Sequence, residues 1–200
     1  MYVVGITGGI AMGKSEAVKI FRGMEIPVWE ADEASREVCR PGQAGHQAIR
    51  NAYGDAFFAI DGSLERKKLG QYVFGKPEEV EKLNSLLHPL VLGNMRHWLK
   101  ERKLERKPLV MVSASLLWES GADTACDEVW TFSCGMDEQI RRLQKRDGLD
   151  LDEALARIEA QMPDNQRRSA SRRIVDTSGN LEDTARYLRT LVEELLEEVS

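Results

Sequence analysis

The sequence predicts an α/β fold in which a parallel β-sheet carries helices on both faces. Short apolar runs typical of buried strands alternate with segments of helical spacing, the pattern of strands joined by crossover helices. The first of these runs also leads directly into a glycine-rich loop and a helix. The runs are Tyr2–Ile6, Ile26–Trp29, Pro108–Val112, Asp127–Phe132 and Arg173–Val175. In such a sheet, ligands bind at the carboxyl ends of the strands.

The glycine-rich loop has the spacing of a P-loop. Residues Gly8 to Ser15 fit G-x-x-x-x-G-K-S, and a helix is predicted from Ser15 to Arg22. Gly8 and Gly13 lack a Cβ, so consecutive backbone N–H groups can point at phosphate oxygens. Lys14 can reach the β- and γ-phosphates, and the Ser15 hydroxyl can ligate Mg²⁺. The predicted fold is therefore of the P-loop NTPase type. The residues expected to contact the nucleotide here are Gly9, Ile10, Ala11, Met12, Gly13, Lys14, Ser15 and Glu16.

Composition narrows the possible partners. The chain has 200 residues and a net charge of −5, which argues against a nucleic-acid or anionic-membrane partner. Its three cysteines have no metal-ligand spacing, which favours a reducing compartment and a packing role. No apolar run is long enough to span a membrane, and the N-terminus lacks the basic leader of a signal peptide. We expect a cytoplasmic protein that is monomeric or weakly homo-oligomeric and acts on small molecules.

Two stretches without an obvious strand divide the predicted single domain. The core comprises about 1–31, 107–135 and 173–200, and it ends in a packing helix from Leu181 to Glu198. The stretch of about 32–106 is helix-rich, with pieces at Leu64–Phe74, Pro77–Leu87 and Pro89–Lys103. In small kinases a helical insertion of this kind covers the acceptor substrate, and by analogy we expect the same here.

The second stretch, about 136–172, is dense in arginine. One interpretation is a solvated helix face with pairs at i,i+4 to Asp and Glu. The other is a mobile helical lid that brings one or two arginines onto the phosphates of a nucleotide. The position of the stretch between two predicted core strands favours the lid.

A series of spaced motifs extends over nearly the whole chain. They are Gly5-Ile6-Thr7-Gly8-Gly9-Ile10, Ala31-Asp32-x-x-x-Arg36, Asp61-Gly62-x-Leu64-x-Arg66, Leu83-Asn84-x-x-Leu87-His88-Pro89, Leu116-Leu117-x-Glu119-Ser120-Gly121, Gln139-x-x-Arg142-Leu143-x-x-Arg146-Asp147, Ala160-Gln161-Met162 and Asp176-x-Ser178-Gly179. In this order they resemble the dephospho-CoA kinase family. The resemblance implies transfer of the ATP γ-phosphoryl group, with Mg²⁺, to the ribose 3′-hydroxyl of dephospho-CoA.

The resemblance also implies roles for single residues. Asp32 matches the catalytic base, while Lys14 and the lid arginines Arg142 and Arg146 would stabilise charge on the transferred group. Acceptor-binding candidates are Asp32, Arg36, Arg66, His88 and Glu119, and Ser178 and Gly179 match a loop near the adenine. Simpler structural roles stay open for several of them. Asp32 could cap a helix, Arg36 and Arg66 could form surface ion pairs, and His88 could be a hydrogen-bonded structural histidine.

Several positions depart from the family pattern. Ala11 and Met12 replace small loop residues, Glu16 replaces a threonine, and Glu30 replaces an aspartate. Ser113 and Ser115 stand where the family has Asp and Pro, and Arg172 replaces another aspartate. A carboxylate at position 113 would organise Mg²⁺ and its waters, so Ser113, with Glu16 and Glu30, supports a non-catalytic protein. The helical insertion and lid also fit other small kinases, and two alternatives therefore remain. One is another small P-loop kinase for a nucleoside, nucleotide or metabolite, and the other is a non-catalytic nucleotide- or CoA-binding relative.

Overall fold

A computed structural model of the protein describes residues 1–73 and 75–199. These residues form two compact units. One comprises Met1–Trp29 and the chain from Arg102 onward, and the other is Glu30–Glu101. The finer division into core, acceptor subdomain and lid stays a prediction.

The first unit is built on a parallel sheet. Its strands are β1 (Tyr2–Thr7), β2 (Val28–Glu30), β3 (Leu109–Ser113), β4 (Glu128–Ser133) and β5 (Arg173–Asp176), in the order β2-β3-β1-β4-β5. β1 pairs in parallel with β3 and β4, and β4 pairs in parallel with β5. The five predicted strands are confirmed to within two residues at each end.

The core of this unit lies between the sheet and two flanking helices, α1 (Lys14–Gly23) and α9 (Leu181–Val199). β3 is buried along its whole length, as expected for an inner strand of a parallel sheet. Phe21 of α1 packs on Trp130 of β4 with ring centroids 6.1 Å apart. α9 buries the apolar positions spaced along one of its faces: Leu188, Leu191, Val192 and Leu195. The glycine-rich loop is thereby anchored between a buried strand and a well-packed helix.

Three helices separate β4 from β5, namely α6 (Met136–Asp147), α7 (Leu151–Glu159) and α8 (Asp164–Ala170). α7 begins with a reciprocal capping box. The Asp150 carboxylate accepts the Glu153 N–H at 2.8 Å, and the Glu153 carboxylate accepts the Asp150 N–H at 3.1 Å. The predicted lid is thus helical, and its mobility stays a prediction.

The second unit is helical, as predicted for an insertion. Its helices are α2 (Ala31–Val38), α3 (Ala44–Tyr53), α4 (Arg66–Val73) and α5 (Pro77–Leu104), whose bounds extend past the unit. Cys39, Ile49, Leu69 and Val73 form its small core. The predicted helical piece Leu64–Phe74 ends at a residue that lies outside the described residues.

α5 differs from the prediction of two helices meeting at His88–Pro89. It is a single helix of 28 residues with Pro89 in its interior. Proline lacks an N–H and disturbs the preceding turn, at a cost of roughly 3 kcal/mol. Packing on both sides of Pro89 offsets this cost, because Leu83 and Leu87 contact the small core and Met95 is fully buried. Within residues 1–73 and 75–199, no helix has the length and apolar character needed to cross a membrane.

Candidate active site

The loop between β1 and α1 has the backbone geometry of an anion site. Gly13 and Ala11 both have positive φ values, 87° and 61°. The left-handed conformation costs a non-glycine residue such as Ala11 roughly 1–2 kcal/mol, so the surrounding contacts must hold it. Gly13 is the N-cap of α1 and no side chain caps this helix. Its first-turn N–H groups are therefore not covered by a cap and can bind a phosphate.

Gly8 is required because β4 approaches the loop closely. A methyl group at Gly8 would lie 2.7 Å from the Phe132 carbonyl oxygen, a distance shorter than any van der Waals contact. A methyl group at Gly13 would lie 3.2–3.3 Å from the Thr177 side chain. The glycines of the motif thus serve packing as well as backbone freedom.

Two glutamine side chains hold Ile10. The Ile10 N–H donates to Gln161 Oε1 at 2.8 Å, and Gln139 Nε2 donates to the Ile10 carbonyl at 2.9 Å. Gln139 lies on α6 and is 2% exposed. Both backbone groups of Ile10 are therefore satisfied by the region between β4 and β5, and this half of the loop is fixed before any nucleotide binds.

Met12 anchors the other half of the loop. Its buried sulfur accepts the Cys134 N–H at 3.1 Å and lies 3.4 Å from Cys134 Sγ. The Met12 carbonyl accepts the Thr177 hydroxyl at 3.1 Å. Met12, a departure from the family pattern, fills the space between the loop and the ends of β4 and β5.

Lys14 lies beside the residue that replaces the family aspartate. Lys14 Nζ donates to Ser113 Oγ at 3.4 Å, and Ser113 is 1% exposed at the end of β3. The described residues contain no cluster of three or more His, Cys, Asp or Glu side chains that could hold a metal. Mg²⁺ is typically held by few protein ligands together with substrate phosphates and waters, so the Ser15 hydroxyl fits as a ligand of such an ion and the Ser113 hydroxyl as a partner of one of its waters.

The two predicted lid arginines, Arg142 and Arg146, have different hydrogen-bond partners. Arg142 donates to the Thr177 carbonyl and, at 3.3 Å, to the Thr177 hydroxyl. Because the Thr177 hydroxyl binds the Met12 carbonyl, Arg142 is connected to the loop through one intervening residue. Its Nε also donates to Glu138 at 2.6 Å, and hydrogen bonds from Arg141 and Arg142 lower the pKa of Glu138 to about 2.

Arg146 lies in a separate ion-pair network. It donates twice to Asp147, at 2.8 and 3.0 Å, and Arg157 donates to the same carboxylate at 2.9 Å. The Arg146 side chain is 55% exposed. The contacts of Arg146 therefore match the solvated-face interpretation of the arginine-rich stretch, whereas those of Arg142 reach the nucleotide loop indirectly.

A cleft of about 160 Å³ opens at the carboxyl ends of β4 and β5. Its lining includes Ser133, Cys134, Asp176 and Ser178. The Ser178 N–H donates to the Asp176 carboxylate at 2.8 Å, which lowers the pKa of Asp176, and Ser178 Oγ accepts the Gly135 N–H at 3.3 Å. The predicted nucleotide-binding residue Ser178 therefore lies at the strand end where ligands bind in parallel sheets.

In the second unit, α2 carries the predicted base. Asp32 is exposed in the first turn of α2, the N-cap is Glu30, and no side chain caps the helix. The capping role considered for Asp32 is therefore wrong. Arg66, the first residue of α4, donates from Nη2 to the Ser35 carbonyl at 2.9 Å, and so lies beside the helix that bears Asp32 and Arg36.

Of the remaining candidates, His88 is half-buried within α5 and Glu119 is exposed in the loop after β3. The buried histidine is instead His46, whose Nε2 lies 2.7 Å from the Gly62 carbonyl.

Comparison with known proteins agrees with this geometry. The sequence profile of the family described as dephospho-CoA kinase matches residues 2–183. The dephospho-CoA kinase of Carboxydothermus hydrogenoformans is 35% identical over 96% of this chain and 93% of its own length. That of Geobacter metallireducens is 34% identical over 98% of both chains. The chain belongs to the dephospho-CoA kinase family.

Solved structures support the same fold. A Thermus thermophilus protein superposes with a TM-score of 0.79 at 29% identity, covering 97% of each chain. The dephospho-CoA kinase of Campylobacter jejuni gives 0.67 at 18% identity over 96% of each chain, and the shikimate kinase of Bacteroides thetaiotaomicron gives 0.53 at 15% over 96% and 98%. The predicted P-loop α/β fold is confirmed, and so is the predicted family. As a member of the dephospho-CoA kinase family, the chain is an ATP-dependent kinase of dephospho-CoA.

Sequence reasoning missed several residues that contact the P-loop of this dephospho-CoA kinase family member. Gln139 and Gln161 lie within the family motifs, and that placement is the only sequence signal for their hydrogen bonds to Ile10. Thr177 lies between two motif residues, and Arg167 was one arginine among many. Their contacts join positions far apart in sequence, which no local pattern reveals.

Proposed function

We propose that the chain forms coenzyme A and ADP by in-line transfer of the γ-phosphoryl group of ATP to the ribose 3′-hydroxyl of dephospho-CoA. The observation that carries the proposal is the loop from Gly8 to Ser15, which contains Lys14 and leads into the uncapped N-terminus of α1. The family match over residues 2–183 supports it. An uncapped helix N-terminus favours an anion such as a phosphate.

In the proposed step, the acceptor 3′-oxygen forms a bond to the γ-phosphorus while the bond from that phosphorus to the β–γ bridging oxygen breaks. The electron pair of the broken bond stays on the β-phosphate of ADP. The Asp32 carboxylate takes the proton of the acceptor hydroxyl. Its exposure and its lack of a capping role in α2 support this assignment. Arg36, Arg66, His88 and Glu119 are proposed to hold the acceptor.

Mg²⁺ is proposed as the cofactor. When bound, it neutralises charge on the β- and γ-phosphate oxygens. Ser15 would hold it directly, and Ser113 could bind one of its waters while keeping Lys14 in position. Since Ser113 contributes no charge, Lys14 supplies a larger share of the electrostatic stabilisation than it would beside an aspartate.

Arg142 and Arg146 are proposed to approach the phosphates when the segment of about 136–172 acts as a lid, and Ser178 and Gly179 to contact the adenine. Closure would exclude water, which otherwise competes with the ribose hydroxyl for the phosphoryl group. To reach the phosphates, Arg146 must break its ion pair with Asp147. Arg142 already contacts Thr177, which is hydrogen-bonded to the loop. We further propose that the protein is cytoplasmic and monomeric or weakly homo-oligomeric.

The test is ADP release from MgATP by the purified protein with dephospho-CoA, AMP, adenosine or no acceptor. We expect ADP formation that depends on dephospho-CoA, with coenzyme A identified by mass. Turnover with another acceptor only would indicate a different small-molecule kinase. ATP binding without turnover on any acceptor would indicate a non-catalytic relative, for which the loss of the carboxylate at position 113 would be the first explanation.

A further inference from the structure

Arg167 is a buried cation in the region between β4 and β5. It lies on α8, its side chain and backbone together are 3% exposed, and its Nε has no hydrogen-bond partner among the described residues. Buried arginines are normally paired, because removing a charge from water is unfavourable. A buried guanidinium nitrogen without a partner therefore points to a missing anion.

The guanidinium of Arg167 lies against the first half of the P-loop. A methyl group placed on Gly9 would be 3.2 Å from Arg167 Nη1, 3.3 Å from Gln139 Nε2 and 3.3 Å from Gln161 Oε1. Only a glycine therefore lets these three polar groups pack this closely against the loop. Both glutamines also bind Ile10, so the groups beside Arg167 are held against the loop by contacts already present.

Two carboxylates lie near enough to Arg167 to interact with its charge. Glu119 and Asp164 attract the guanidinium, but among residues 1–73 and 75–199 neither forms an ion pair with it. Asp164 instead accepts a hydrogen bond from Ser133 at 2.7 Å. Arginine remains charged at every physiological pH, so its positive charge is available to a ligand.

We propose that Arg167 is a catalytic residue that donates hydrogen bonds to the γ-phosphate of bound ATP, and to the same oxygens during transfer. In a P-loop the backbone cradles the nucleotide phosphates and the lysine reaches the β- and γ-phosphates, so a second cation packed against the same loop at Gly9 is suited to the terminal phosphate. A guanidinium also presents several donors to phosphate oxygens in a rigid planar fork. The inference rests on the proposed function and adds to it a phosphate-binding residue of the same segment, besides Arg142 and Arg146.

The experiment compares Arg167→Met with Arg167→Lys and with the control Arg189→Met, on an exposed position of α9. Affinities for ATP and for ADP are measured by calorimetry without acceptor, and kcat is measured with dephospho-CoA. For Arg167→Met we expect ATP affinity to fall about tenfold or more while ADP affinity changes little, because only ATP carries the γ-phosphate. The expected fall in kcat is about 10²–10³-fold, with partial recovery in Arg167→Lys.

An equal loss of ATP and ADP affinity in Arg167→Met, with a lowered melting temperature, would show a structural role only and overturn the proposal. If Arg167→Met does not fold, the ratio of ATP to ADP affinity in Arg167→Lys decides, since a lysine cannot reproduce the planar fork. An unchanged ratio there overturns the proposal as well. The calorimetric measurement of ATP and ADP affinity needs no acceptor, so it tests the role of Arg167 even if dephospho-CoA is not phosphorylated. Failure of the proposed function and failure of the Arg167 proposal can therefore be told apart.

Discussion

At the residue scale, the chain departs from the family pattern at position 113, where a serine that contacts the P-loop stands in place of an aspartate. Ser113 is buried at the end of β3, and its hydroxyl accepts a hydrogen bond from Lys14. A serine keeps this contact through a neutral oxygen, whereas an aspartate would add a charge beside the same ammonium group. Ser113 therefore still gives Lys14 a hydrogen-bond acceptor. What differs from an aspartate is the missing negative charge near Mg²⁺ and the phosphates.

Asp32→Asn tests the predicted base at the same scale. The amide cannot take the acceptor proton, so we expect kcat to fall by about 10²–10⁴-fold while ATP affinity stays unchanged. The measurement is steady-state ADP release together with calorimetric ATP binding. Glu33→Gln, an exposed neighbour on α2, is the matched control and should keep its activity. Near-normal turnover of Asp32→Asn would remove Asp32 from the mechanism.

At the scale of elements, the strand, loop and helix formed by β1, the P-loop and α1 act as one packed unit. Gly8 touches the backbone of β4, Met12 accepts a hydrogen bond from the backbone at Cys134, and Thr177 binds the Met12 carbonyl. The left-handed conformation of Ala11 is held by contacts on both sides of it. The loop is thus shaped by its neighbours before it meets a nucleotide, which reduces the cost of ordering it on binding.

Gly8→Ala and Gly23→Ala form a matched pair that tests this packing. The added methyl at Gly8 meets the Phe132 carbonyl at 2.7 Å, so we expect a loss of about 1–3 kcal/mol in the free energy of unfolding, together with weaker ATP binding. At Gly23, the last residue of α1, nothing lies within 4 Å, and alanine should stabilise by about 0.5–1 kcal/mol. Urea denaturation measures both. Equal effects of the two substitutions would contradict the close approach at Gly8.

At the scale of the whole molecule, several carboxylates are held in their charged form. Hydrogen bonds from Arg141 and Arg142 lower the pKa of Glu138 to about 2, from an ordinary value of 4.5. A hydrogen bond from Arg146 lowers the pKa of Asp147, and the Ser178 N–H lowers that of Asp176. Glu138 and Asp147 lie on α6 and Asp176 ends β5, so these carboxylates keep their charge in moderate acid and the loss of that charge at lower pH destabilises this region.

The pH dependence of stability follows from the sign of these shifts. A carboxylate with a lowered folded pKa contributes stability above its unfolded pKa and loses it as the pH falls through the folded value. We expect the urea midpoint to decline between pH of about 4.5 and 2, with a shallower decline in Glu138→Gln. Glu193→Gln, exposed on α9, is the control and should follow the wild-type curve. A Glu138→Gln curve parallel to that of the wild type would show that the Glu138 ion pairs add nothing to stability.

Much of the fold was predictable because its signals are local. Each strand is a short apolar run, and the P-loop depends on glycine spacing over eight consecutive residues, so both can be recognised without tertiary contacts. The continuity of α5 through Pro89 was not predictable in this way. The local signal of proline is a break, and the burial of Met95 and the packing of Leu83 and Leu87 outweigh it.

By itself, the sequence determined the parallel α/β fold, the loop from Gly8 to Ser15 and the dephospho-CoA kinase family, since these depend on the order and spacing of residues along the chain. Only the tertiary structure decided which side chains reach that loop. Gln161 holds Ile10 across 151 positions, Arg167 is buried against Gly9, and Arg146 is paired with Asp147 instead. The physical reason is that hydrogen bonds and burial depend on distance in space, so arginines of one arginine-rich stretch acquire different contacts when the chain folds.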